Sequence, residues 1–68
     1  MGAAREEKLS TPVLGWADQL CVVFNDKNET VEIWSTKDGK LSQLKLVLTP
    51  LAAQKLATNV IRVLGEVW

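Results

Sequence analysis

The chain has 68 residues, with eight basic and eight acidic side chains, no histidine and a formal net charge of zero. A chain this short forms one domain and buries only about 60% of its unfolded surface, so its stability margin is small. Zero net charge gives no long-range field toward nucleic acid or an anionic membrane, and an apolar fraction of 47% excludes a disordered chain.

A single small core rarely supplies more than roughly 3–5 kcal/mol, and domains of this size often add disulfides, metals or oligomerisation. Cys21 is the single cysteine, so no disulfide forms within the chain. With no histidine and with scattered carboxylates, no metal or other cofactor is expected. Self-association is the remaining device, and a homodimer is the expectation. The apolar runs fall far short of the ~20 residues that cross a bilayer. Met1 to Lys8 is polar and lacks the apolar core of an export signal, so with its lone cysteine the protein is expected in the reducing cytoplasm.

In chain order, residues 1–8 carry no apolar periodicity and are expected as a disordered tail, followed by a single domain over 9–68. Residues 9–16 contain Pro12 and Gly15, which oppose a helix or a central strand, yet Leu9, Val13, Leu14 and Trp16 are too apolar for a bare linker. They read as an extended arm packed on the sheet or on a neighbouring copy, available as a fourth strand. Residues 19–25 are the first clear strand, with Leu20, Val22 and Phe24 on one face and Cys21 and Val23 on the other. Asp26 to Glu29 reads as a turn, with Asp26 and Asn28 suited to left-handed backbone. Residues 30–36 form the second strand, with Val31 and Ile33 opposed to Glu32 and Trp34. Asp38-Gly39 is a strong hairpin signal. Residues 41–48 form the third strand. Leu41 is out of phase with Leu44, Leu46 and Leu48, which predicts a bulge near Ser42-Gln43.

The last element is the clearest. Thr49 suits an N-cap and Pro50 the first helical position. Ala53, Leu56, Ala57, Val60, Ile61 and Leu64 then recur at helical spacing, with Lys55, Thr58, Asn59 and Arg62 outside. Gly65 is the expected C-terminal stop, the alternative being a helix that continues through it, since Val67 and Trp68 return to the apolar side at helical spacing. The fold class is therefore α+β, a three-stranded antiparallel meander, extendable to four strands, packed on one C-terminal helix.

One helix covers one sheet face. The other face carries Cys21, Val23, Trp34 and Val47, and such a patch with a polar rim marks an interface. Trp34 is its natural anchor, with Trp16 and Trp68 as accessory anchors. The expected function is a non-enzymatic protein–protein interaction or oligomerisation module whose partner is a second copy or another protein, with no small-molecule substrate. Catalysis is not expected, because Cys21 sits in a strand without a histidine base and no glycine-rich phosphate loop is present. The alternative is a single-stranded nucleic-acid binder that stacks bases on Trp34 and meets phosphates with Lys37, Lys40 and Lys45. Residues 44–64, a strand feeding a helix through Thr49-Pro50 after a meander, resemble the single-stranded-DNA-binding transcriptional coactivators. That resemblance implies a dimer with a curved four-stranded sheet and a C-terminal helix. The chain departs from that family in lacking a strongly basic balance.

Overall fold

The computed structural model describes residues 5–9, 13 and 19–67. It shows an antiparallel sheet of four strands followed by one helix: β1 (Glu6–Lys8), β2 (Leu20–Asn25), β3 (Thr30–Lys37), β4 (Lys40–Leu48) and α1 (Pro50–Val67). The sheet order is β1-β2-β3-β4, so each strand pairs with its sequence neighbour. This is the α+β meander with a C-terminal helix that the hydrophobic pattern predicts.

The fourth strand is not where the sequence points. Glu6–Lys8, inside the segment read as a disordered tail, pairs with β2 through Glu6 opposite Val23, Glu7 opposite Val22 and Lys8 opposite Cys21. Three charged residues show no apolar alternation, so nothing in their composition announces a strand. The bare edge of β2 supplies the template, and a short charged strand is a common way to cover such an edge. Backbone bonds extend the pairing at both ends: Phe24 N–H donates to the Arg5 carbonyl at 2.8 Å and Leu9 N–H to the Leu20 carbonyl at 2.9 Å. The Arg5 guanidinium lies 5.6 Å from the Phe24 ring centroid and pairs with Asp26. Of the arm over 9–16, only Leu9 and Val13 are among the described residues.

The two hairpins show how local chemistry sets register. Asp38 and Gly39 both adopt left-handed backbone, at φ 54° and 79°, between the paired Lys37 and Lys40. Positive φ at both central residues is the two-residue turn whose twist matches the strands. In the β2–β3 turn the left-handed residue is Glu29, at φ 54°, and not Asp26 or Asn28. The reason is visible one residue upstream of the turn. The Asn25 side-chain oxygen accepts from the Lys27 and Asn28 N–H groups at 3.0 and 3.2 Å, fixing the start of the loop and leaving Glu29 to reverse the chain.

The register of β3 against β4 shifts twice, once between Ile33 and Trp34 and once between Ser35 and Thr36. The second shift passes over Ser42, where a bulge is predicted. The first passes over Lys45 and moves Leu44 opposite Trp34, onto the face away from Leu46 and Leu48. Leu44, which alternation alone assigns to the Leu46 face, thus joins Trp34.

Helix α1 begins as its sequence dictates. The Thr49 hydroxyl accepts from Ala52 N–H at 3.2 Å, an N-cap, and Pro50 opens the first turn. Its end follows the alternative of a helix that continues through Gly65. Gly65 is helical and α1 runs on to Val67, with open space where a Cβ would lie. A glycine terminates a helix only when it turns left-handed, and the one glycine with positive φ among the described residues is Gly39. The helix meets β3 and β4. Only Ala53 is half-buried; every other described helix residue is exposed.

Candidate functional site

Residues directly opposite each other in adjacent antiparallel strands share a face of the sheet. The register therefore assigns the sheet's two surfaces row by row. On one face, Lys8, Cys21, Trp34 and Leu44 form one row and Glu6, Val23, Glu32 and Val47 the next. On the other, Glu7, Val22, Ile33 and Leu46 form a row, beside Phe24, Val31 and Leu48.

The first face holds four of the predicted interface residues, Cys21, Val23, Trp34 and Val47. It treats them differently. Cys21 is fully buried, so its thiol presents no contact surface to a partner. Strand β1 sets Lys8 directly opposite Cys21 and Glu6 on the same face. Burial pushes the Cys21 thiol up, and the nearby Glu6 carboxylate, which also accepts its hydrogen bond, pushes it further. Lys8 and a backbone bond pull the other way. A thiol held protonated is a poor nucleophile. Val23 and Trp34 are half-buried and Val47 is 49% exposed. Trp16 and Trp68, the two accessory anchors, lie outside the described residues.

Trp34 is not a bare stacking surface. Its indole N–H donates to one oxygen of Glu32 at 2.9 Å, and the Asn25 side-chain amide donates to the other at 3.0 Å. Asn25 is the residue that caps the β2–β3 turn, so one chain of bonds runs from that turn through Glu32 to Trp34. The two donors hold the Glu32 carboxyl below its ordinary value, Asn25 first and Trp34 second. The signal for this network was in the sequence as Glu32 two residues before Trp34 on one strand face, but Asn25 enters only through the hairpin register.

Two of the three lysines proposed for phosphate contacts lie together. Lys37 and Lys40 face each other at the β3–β4 turn with Asp38 between them in sequence. Lys45 sits at the register shift, and its ammonium donates to the Gln43 side-chain oxygen at 2.9 Å. The Lys8 ammonium reaches the Gly39 carbonyl at 2.9 Å, tying β1 to the far hairpin. Among the described residues no group of three or more histidine, cysteine, aspartate or glutamate side chains is placed to hold a metal. A shallow open groove runs along the polar side of α1, and its described lining residues, including Lys55, Thr58 and Arg62, all come from that one element.

Both sheet faces and the helix carry apolar surface, with Leu44 45% and Val47 49% exposed on the first face. Val22 is 42%, Leu46 44% and Leu9 44% exposed. Along α1, Leu56, Val60 and Leu64 lie between 44% and 49% exposed, with Val63 and Val67 beside them at 58% and 79%. No helix among the described residues is long and apolar enough to cross a membrane. The fold and these surfaces define a small sheet-and-helix domain with a wide apolar exterior. Comparison with family models, with curated proteins and with solved structures finds no match for the chain.

Proposed function

We propose that the chain is a non-enzymatic protein–protein interaction and oligomerisation module that acts as a cytoplasmic homodimer. One observation carries the reading: among the described residues the only buried hydrophobic side chain is Cys21. Ordering each backbone residue costs roughly 1–2 kcal/mol, and burying a leucine or valine side chain fully recovers only about 1.5–3 kcal/mol. Among the described residues no aliphatic side chain is fully buried, so what they bury within one chain offsets little of this cost. Association supplies the remainder, and the lack of histidine, an inert buried thiol and scattered carboxylates all favour binding over catalysis.

The nucleic-acid reading draws less support from the geometry. The indole that would stack a base holds a carboxylate on its N–H, and that negative charge opposes phosphate. Light scattering on a sizing column over a wide concentration range tests the proposal. A mass of two chains that persists on dilution supports it; the mass of one chain at every concentration overturns it.

A further inference from the structure

We infer that β1 is a strap that unpairs from β2 on its own while the rest of the sheet stays folded, and that its release opens the Cys21 thiol to solvent.

The strap is anchored differently from the other strands. β1 is the outermost strand, three residues long, and all three of its side chains are charged and exposed. It therefore leaves the sheet without carrying an apolar side chain of its own into water, the main cost of peeling a strand away. What holds it is the ladder from Glu6–Lys8 to Cys21–Val23, with the Phe24 and Leu9 backbone bonds at its two ends. Two side-chain ties reinforce those ends. The Arg5 guanidinium pairs with Asp26 and lies 5.6 Å from the Phe24 ring centroid, and the Lys8 ammonium donates to the Gly39 carbonyl at 2.9 Å. Both charged ties run over exposed surface, where water competes and each contributes little.

Cys21 is what the strap lies against. Its side chain is fully buried, although every residue of β1 beside it is exposed. Lys8 stands directly opposite it, the Glu6 carboxylate accepts its thiol hydrogen bond, and the Glu7 backbone bonds to the same sulfur. Three consecutive residues of one short strand thus approach one thiol, and their contacts break together when the strand leaves. Release also turns β2 into an edge of the sheet. The bonds at Arg5 and Leu9 put Glu7 in step with both, so its N–H points at Val22 across the ladder.

Labelling of the full chain with the aromatic disulfide dithiodipyridine, under native conditions and in low urea, tests this. The Cys21 sulfur attacks one sulfur of the reagent and forms a mixed disulfide. The released thiopyridone carries away the thiol proton, and its absorbance gives the rate. Opening a strap exposes little surface, so the rate should stay nearly flat with urea below the unfolding transition. Glu7→Pro removes a ladder N–H and should speed labelling roughly 10-fold or more. Arg5→Ala removes both ties at one end and should speed it roughly 2- to 5-fold. Thr49→Ala removes the cap of α1, which meets β3 and β4; it should lower the urea midpoint and leave the labelling rate unchanged. Labelling that climbs with urea as steeply as unfolding, and that Thr49→Ala accelerates, overturns the strap, because Cys21 then opens only with the whole fold. A wild-type rate equal to that of the denatured chain overturns it as well, since nothing then covers the thiol. Rates unchanged in both Glu7→Pro and Arg5→Ala assign the cover to another segment. Loss of the sheet and helix signals of Glu7→Pro in circular dichroism makes β1 integral to the fold, and the inference fails.

Discussion

Ile33 in β3 and Val60 in α1 are both aliphatic residues that the hydrophobic pattern turns inward, yet Ile33 is half-buried and Val60 is 49% exposed. The difference comes from neighbours. Ile33 sits in a central strand, with Val22 on one side and Leu46 on the other, so pairing alone covers much of it. Helix α1 satisfies its own backbone and has no such lateral partner. A strand recruits its neighbours through its ladder; a helix must find them through its side chains. The sheet is therefore the tied-down region of this molecule and the helix the open one.

Truncation at the helix gives the largest test of that contrast. Leu56 is 44% exposed in the single chain, so Leu56→Ala should cost about 1 kcal/mol in dilute protein, where only the partial burial is lost. At concentrations that populate the dimer the cost should reach about 2–5 kcal/mol, the range for a covered leucine. Urea unfolding at two protein concentrations measures both, and equal costs would mean that no second copy covers Leu56.

The two glycines among the described residues sharpen the same comparison. Gly39 holds φ at 79° in the β3–β4 turn, and although a Cβ there would meet nothing closer than the Lys8 ammonium at 3.8 Å, the left-handed backbone itself disfavours a side chain. Gly39→Ala should destabilise by about 1–2 kcal/mol. Gly65 is helical with open space around it, so Gly65→Ala should stabilise by up to about 0.5–1 kcal/mol. Thermal unfolding of both variants should move in opposite directions; a loss at Gly65 would mean a neighbour packs against that position.

The smallest expected effect is electrostatic. Hydrogen bonds from Asn25 and Trp34 lower the Glu32 carboxyl from its ordinary 4.5. The ionised form is favoured by folding, so this contribution is present above pH 4.5 and is lost as the pH falls through the lower folded value. The Glu32 carboxyl carbon, followed by NMR, should titrate below the ordinary glutamate value, and Trp34→Phe should bring it partway back. A midpoint at or above 4.5 would show that the indole and amide do not hold the carboxylate.

The sequence by itself determined the elements whose signals are local. A continuous apolar run marked β2, alternation marked β3, Asp38-Gly39 marked the β3–β4 hairpin, and Thr49-Pro50 with the helical spacing marked α1, because each is written within a few residues. Tertiary structure decided what depends on distant partners. Glu6–Lys8 became a strand because β2 had an open edge. Leu44 changed face because β4 skips Lys45 against β3. Cys21 gained Glu6 and Lys8 on its own face because β1 paired with β2. Asn25 joined Glu32 and Trp34 because the hairpin register placed three residues of two strands within hydrogen-bonding reach. Hydrophobic period records which residues share a face; only the assembled strands decide which faces are covered, since burial is a property of neighbours and not of the residue.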